Sequence, residues 1–578
     1  MLKYRLGQRL GHGVVSQASK RAVLQPVRLM HSAKPTNTKF PHFTTTTKLI
    51  ATVGTVALGL AASSTLIKND DKNTAISSAT SPYDNGCTTK LTDLDPPTYG
   101  TLEDFQHAKD AIIAIVGEDN VATSASEIDY HSDAYFNSHH ALDGQKPYMV
   151  VYPKSTAEVS EIMKVCYKYS IPTIPFAGGT SLEGHYIATT GTPCITLDFA
   201  KNMNHIIELH KDDLDVVVQP GVGWEDLDDY LGERGLLFGP DPGPGALIGG
   251  MIATSCSGTN AARYGTMKES VAGLTVVLAD GTIVKTKARP RKSSAGYNLT
   301  GLVIGSEGTL GIVTEATLKL NVRPREETVA VVSFDHIEEA SKTVADIVQR
   351  GIQVNAAELL DDKMMSVVNA SGQTSRHWIE KPTLFFKIGG NNRVVLSELV
   401  SEVRQIAKDN NSSHFEFART KDEIEELWEA RKMALWSTIN QGKSKNKDIQ
   451  IWTTDVAVPI SKLCQVLSET KEDINKSGLT GTLVGHAGDG NFHAFLLYTP
   501  EERPIAEKLV ENMVKRAVKA EGTCTGEHGV GYGKREFLLE ELGHEPIDMM
   551  RRIKIALDPK RLLNPDKVFK IDPNDKEH

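Results

Sequence analysis

The sequence predicts an α+β fold built as two consecutive domains behind an N-terminal leader. Three observations carry that prediction. The chain has 578 residues, 40% hydrophobic and 24% charged, enough for two or three domains at ~150 residues each. From Lys146 onward, short apolar runs bounded by Gly, Pro or Asp alternate with stretches of helical period. A second strand, helix and strand then open at Glu327.

The leader comes first. Residues 1–69 hold no Asp or Glu, yet include Lys3, Arg5, Arg9, Lys20, Arg21 and Arg28 among Ser and Thr, the composition of a mitochondrial transit peptide. We assign residues 1–48 to it. Residues 49–67 carry no charge and reach the ~20 residues that cross a bilayer core, which predicts an apolar sorting or transmembrane segment. Asp70 and Asp71 follow at once. A basic flank before the span and an acidic one after it place the rest on the outer side of the mitochondrial inner membrane, facing the intermembrane space. A cleaved secretory signal is the alternative, but its basic region is far shorter than 48 residues. Residues 68–101, rich in Ser, Thr, Asn, Asp and Pro, read as a linker.

The net charge is −9, and basic residues beyond the leader are dispersed, so no nucleic-acid footprint exists; an acidic surface suits a basic protein partner. Cys87, Cys166, Cys194, Cys256, Cys464 and Cys524 show no CxxC spacing, which argues against a disulfide framework or a thiolate zinc site.

The first domain is placed at 102–323. Its strands are expected at 148–152, 171–175, 194–198, 215–219, 274–277 and 311–320, with a helix over 156–169. The second domain, 324–571, opens with a strand at 327–334, a helix at 337–350 and a returning strand at 383–389, a ferredoxin-like pattern. Amphipathic helices are expected at 421–437 and 506–520, and residues 572–578 form a charged tail.

Three glycine-rich loops interrupt the first domain. Pro175 to His185 contains Ala177-Gly178-Gly179-Thr180-Ser181, whose backbone amides suit a pyrophosphate, although it is neither a Walker loop nor a Rossmann fingerprint. Pro240-Asp241-Pro242 leads to Ser257-Gly258-Thr259-Asn260 and Gly265. The third loop is Gly305-Ser306-Glu307-Gly308-Thr309-Leu310-Gly311-Ile312-Val313. Near the C-terminus, Gly485-His486-Ala487-Gly488-Asp489-Gly490-Asn491-Phe492-His493 precedes Gly526-Glu527-His528-Gly529. His486 and His493 stand on either side of a Gly-Asp-Gly turn, as on the two arms of a hairpin. With Glu527 they supply N and O donors for a divalent metal such as Zn or Mn, and open positions remain for substrate. An extended backbone would turn His528 away from Glu527, free to act as base. Asp489 and Asn491 read as turn and supporting groups.

Taken in this order, these motifs resemble the flavin-linked D-2-hydroxyacid dehydrogenases of the vanillyl-alcohol-oxidase fold, from about Tyr148 to Phe569. The resemblance implies a PCMH-type FAD-binding domain followed by an FAD-linked oxidase C-terminal domain. It implies FAD on Ala177 to Ser181, Pro240 to Pro242, Ser257 to Asn260, Gly265, Glu307, Gly308, Gly311, Ile312, Val313 and Asn564. The loop position that carries flavin covalently in some relatives is Thr180 here, so the FAD is expected to be non-covalent. The resemblance also assigns Arg431, in Trp428-Glu429-Ala430-Arg431-Lys432, to the substrate carboxylate, where a guanidinium forms a bidentate clamp. The implied reaction is oxidation of a D-2-hydroxy acid such as D-lactate, with electrons passing to cytochrome c. The apolar Ala434-Leu435-Trp436 and Ile451-Trp452-Thr453 favour a small monocarboxylate. Three alternatives are a D-2-hydroxyglutarate dehydrogenase of the same family, the alkyl-transfer branch of the fold, and an inactive membrane-anchored binding protein.

Overall fold

The computed structural model describes residues 86–575. The expected transit peptide, the apolar segment, linker residues 68–85 and the last three residues of the tail lie outside the described residues. Among the described residues no helix is long and apolar enough to cross a membrane, and all six cysteines are free thiols.

The second half of the linker lies along the end of the chain. The Thr89 N–H donates to the Asp548 carbonyl at 3.0 Å, and the Tyr99 hydroxyl donates to the Arg561 carbonyl at 3.1 Å. Regular structure then begins earlier than the strand expected at 148, with helices Leu102–Val116 and Ala125–Tyr130. The first is opened by a capping box in which Thr101 and Asp104 satisfy each other's backbone N–H groups. It buries Phe105, Ala108, Ile112 and Val116, a stripe at helical spacing.

Two larger sheets, and a two-stranded one that pairs Leu236–Leu237 with Asn321–Val322, form the first domain. In one, Val121–Ala122, Met149–Val151, Ile195–Asp198 and Thr173–Phe176 lie side by side in that order, the last three parallel. The helix Thr156–Tyr169, capped by Ser155, packs Val159, Ile162, Met163 and Cys166 into the same core. The second sheet is antiparallel, in the order Ile206–His210, Asp215–Val218, Ile312–Lys319, Val271–Val277 and Ile283–Lys285. The first glycine-rich loop leaves the end of Thr173–Phe176 and the third runs straight into Ile312–Lys319. Strand ends therefore aim both at one place.

The second domain is a βαββαβ core with the strand order His414–Phe417, Glu326–Ser333, Thr383–Gly390, Ala356–Leu360, the ferredoxin-like arrangement. A helix, Asp362–Ser371, replaces the usual hairpin between its second and third strands. The sheet then continues past Ala356–Leu360 through Thr480–His486, Asn491–Tyr498 and Gln450–Thr453. Helix Lys421–Lys445 runs eight residues beyond its expected end and buries Leu427, Trp428, Ala430 and Ala434. After helix His544–Leu557 the chain returns to the first domain. Leu563 bridges Thr173, the Asn564 N–H donates to the Thr173 carbonyl at 2.9 Å, and Leu563 is buried in the first domain's core.

Candidate active site

A cavity of about 1020 Å³ is walled by both domains. From the first domain come Ala177, Gly178, Gly179, Thr180, Ser181, Asp241, Pro242, Gly258, Thr259, Asn260, Glu307, Gly308, Gly311, Ile312 and Val313; Asn564 reaches it on the returning tail. Arg431, His486, His493, Glu527 and His528 line its far side. Pro240, Ser257 and Gly265 are not on the wall. Ser257 lies behind it and donates its hydroxyl to Glu527 Oε2 at 2.7 Å, while Gly265 ends the short helix Ala261–Tyr264.

The cavity's size and its amide-lined loop suit a dinucleotide. Gly179 shows why that loop needs glycine: its φ is +62°, and a Cβ there would sit 2.7 Å from the Phe176 ring. Glu307 serves another purpose. Its buried carboxylate accepts the Val530 N–H at 2.6 Å and the Gly531 N–H at 2.7 Å, tying the third loop to the segment after His528.

The donor set is assembled by the hairpin. Thr480–His486 and Asn491–Tyr498 pair across a turn in which Gly490 has φ +76°, so both imidazoles emerge at the same end. His486 Nε2 is 2.9 Å and His493 Nε2 3.3 Å from Glu527 Oε1. His493 Nδ1 donates to the Thr454 carbonyl at 2.9 Å and His486 Nδ1 to Glu358 Oε1 at 2.8 Å, so with a cation bound each ring would keep its proton on Nδ1 and present Nε2. Two such imidazoles and a carboxylate, mutually within 4.8 Å, fit a divalent cation.

Two buried carboxylates that no sequence motif singles out, Glu358 and Asp455, hold this set in place. Glu358 accepts from His486 and, through Oε2, from Arg431 Nε at 2.7 Å. Asp455 Oδ2 accepts the backbone N–H groups of Gly526, Glu527 and His528 at 2.7, 2.9 and 3.0 Å. Its Oδ1 accepts Asn491 Nδ2 at 2.6 Å. Glu358 lies within the buried strand Ala356–Leu360 and Asp455 between the strands Gln450–Thr453 and Val456–Ala457, both flanked by apolar or Thr residues, a signal that composition alone carries weakly.

Burial opposes the charge of Glu527, yet His486 and His493 hold its carboxyl well below the usual range. Burial likewise opposes a charged His486, but Glu358 and Glu527 push it well above the ordinary histidine value. His528 goes the other way. Burial, joined by His493 and Lys534, pushes it down to about 4 against the pull of Asp455. Its ring stacks on His493 at 4.9 Å, and its Nδ1 is buried without a hydrogen-bond partner.

Comparison with known proteins agrees with this architecture. An FAD binding domain family matches residues 147–287, and the FAD linked oxidase C-terminal domain family matches residues 323–568. The chain is 60% identical to mitochondrial D-lactate dehydrogenase [cytochrome] of Kluyveromyces lactis over 85% of each chain. It is 56% identical to D-lactate dehydrogenase [cytochrome] 1 of Saccharomyces cerevisiae over 84% of each, and 44% identical to the Arabidopsis thaliana enzyme over 78% of each. Among solved structures, 4-ethylphenol oxidase from Gulosibacter chungangensis superposes with a TM-score of 0.67 at 19% identity, covering 83% of this chain and 99% of that one. A p-cresol methylhydroxylase superposes at 0.66 and 17%, covering 82% and 99%. These two bear on the fold alone.

Proposed function

As the chain belongs to the FAD-linked oxidase family and, within it, to the D-lactate dehydrogenases aligned above, we propose that it oxidises D-lactate to pyruvate and delivers the electrons to cytochrome c. One observation carries the reading: the His486, His493 and Glu527 donor atoms open on the same cavity as the glycine-rich loops, with Arg431 and His528 beside them. When bound there, non-covalent FAD supplies the hydride acceptor at N5 and a divalent cation such as Zn or Mn lowers the pKa of the substrate hydroxyl.

The protein's own groups divide the remaining work. Arg431 spends Nε on Glu358, which leaves Nη1 and Nη2 as a fork for the substrate carboxylate. His528 is neutral at working pH, and with Nδ1 shut away it takes the hydroxyl proton at Nε2. Asp455 fixes the backbone on which Glu527 and His528 ride, so the two side chains keep separate roles. Ile439, Ile451, Val484 and Phe495 line the cavity and suit the lactate methyl. Of the further cations on the cavity wall, Lys387 lies over the Trp428 ring at 4.2 Å and 4.0 Å from Asp241, Arg323 pairs with Asp228 at 2.8 Å, and Lys432 follows Arg431 in the sequence. The acid-free residues 1–69 and the mitochondrial relatives support a mitochondrial location, with an inner-membrane anchor and catalytic domains facing the intermembrane space.

The test is anaerobic bleaching of the flavin in purified protein by D-lactate, L-lactate or D-2-hydroxyglutarate, followed by oxidised cytochrome c. Bleaching by D-lactate alone, reversed by cytochrome c, is expected. Preferential bleaching by D-2-hydroxyglutarate would move the assignment to the sibling enzyme, and no bleaching of flavin-loaded, metal-replete protein would overturn it.

A further inference from the structure

Glu358 does not line the cavity, yet it touches two groups that do. It sits on the strand Ala356–Leu360, directly opposite His486 in the register with Thr480–His486, and its side chain is fully buried. Its two oxygens serve different elements. Oε1 takes the His486 Nδ1 proton at 2.8 Å, and Oε2 takes the Nε proton of Arg431, which reaches in from helix Lys421–Lys445 at 2.7 Å. A carboxylate with no solvent is costly unless its charge is matched, so packing alone gives no reason for Glu at this position.

We infer that Glu358 is a positioning residue that couples the clamp for the substrate carboxylate to the metal ligand His486, so that metal affinity and carboxylate affinity change together. The inference rests on the functional reading above. Accepting from Nδ1 leaves the His486 Nε2 lone pair free for the cation, and accepting from Nε leaves Arg431 the fork of its terminal nitrogens. Both acceptors belong to one rigid planar group, so neither side chain shifts without the other. The amide introduced by Glu358→Gln has one acceptor only. With its oxygen turned to His486, the Arg431 Nε–H would face an N–H group. With its oxygen turned to Arg431, the amide N–H would donate to His486 Nδ1 and the imidazole proton would move to Nε2, where the metal binds. Either orientation sets one partner against the wrong group, and because the same planar amide holds the other partner, the displacement passes to both sides of the site.

The test uses the full chain, FAD-loaded and stripped of metal with a chelator. Mn(II) affinity is read by electron paramagnetic resonance, and affinity of the carboxylate clamp by inhibition with propionate, which has a carboxylate and no hydroxyl. Glu358→Gln is expected to weaken Mn(II) about 10- to 100-fold and to raise the propionate inhibition constant about tenfold, with FAD content unchanged. Glu358→Asp, which keeps both acceptors on a shorter stem, restores part of both. His493→Asn, which does not touch Glu358, serves as the one-sided reference and moves Mn(II) alone, whereas Arg431→Met, which takes the Nε donor away from Glu358, moves both constants. If Glu358→Gln with normal FAD content moves only one constant, or neither, the coupling is overturned; should that variant not fold, the Glu358→Asp result decides by the same criterion. Should His493→Asn also leave Mn(II) affinity unchanged, the metal reading falls with it.

Discussion

At the residue scale, histidine is used for opposite purposes in this chain. Around the cavity His486 and His493 face carboxylates that can share a metal with them, whereas His131 has a structural role. It is 1% exposed, donates from Nδ1 to the Glu127 carbonyl at 2.7 Å, and lies 3.0 Å from Asp198 Oδ2 through Nε2. Burial works against its charge, but Asp198 and the Glu127 carbonyl raise its pKa above the ordinary 6.5. A raised folded value means that the charged form is favoured by folding. The stabilisation is therefore complete below about pH 6.5 and disappears as pH climbs through the folded value. His131→Gln is expected to lower the urea-unfolding free energy by about 1 kcal/mol more at pH 5.5 than at pH 8.5. An equal or larger gap at the alkaline end would show the imidazole to be neutral in the fold.

At the scale of elements, the hairpin Thr480–Tyr498 turns sequence spacing into donor geometry. The two imidazoles stand seven positions apart, and the turn brings them to one end only because Gly490 adopts φ +76° beneath the Val458 carbonyl. A methyl there would meet that oxygen in a left-handed backbone. Gly490→Ala is expected to cost about 2–3 kcal/mol and to lower bound metal by elemental analysis in the same preparation; wild-type stability together with full metal content would rule out this role for the turn. The hairpin was legible in advance because Gly-Asp-Gly between apolar runs has a turn mechanism of its own. Glu358 and Asp455 were not, since the elements that give them partners lie up to 128 residues away in sequence. Likewise Leu102–Val116 escaped notice because its stripe of Phe105, Ala108, Ile112 and Val116 is broken by the small Ala108, while the strands of the first domain stand out as Val- and Ile-rich runs.

At the scale of the whole molecule, both domain types and their order followed from the sequence, but the way they are fastened did not. Glu307 shows the difference. As part of Gly-Ser-Glu-Gly-Thr it reads as a cofactor-loop residue, yet its carboxylate is spent on two N–H groups of the Val530–Gly531 segment more than 200 residues later. Glu307→Ala leaves both donors buried and unpaired, and is expected to lower stability by about 2–4 kcal/mol and to release FAD on gel filtration. A loss under half of the lower figure with FAD retained would mean that water replaces the carboxylate. The returning tail is the other fastening: Leu563 and Asn564 attach to Thr173, at the start of the strand that ends in the first glycine-rich loop. During synthesis, therefore, the N-terminal half leaves the ribosome without the strip that seals it, and it must wait for almost 400 further residues. A truncated product ending before residue 560 is then no half-enzyme with a working nucleotide site but an open-edged fragment for chaperones and proteases, so a late nonsense mutation is as damaging as an early one.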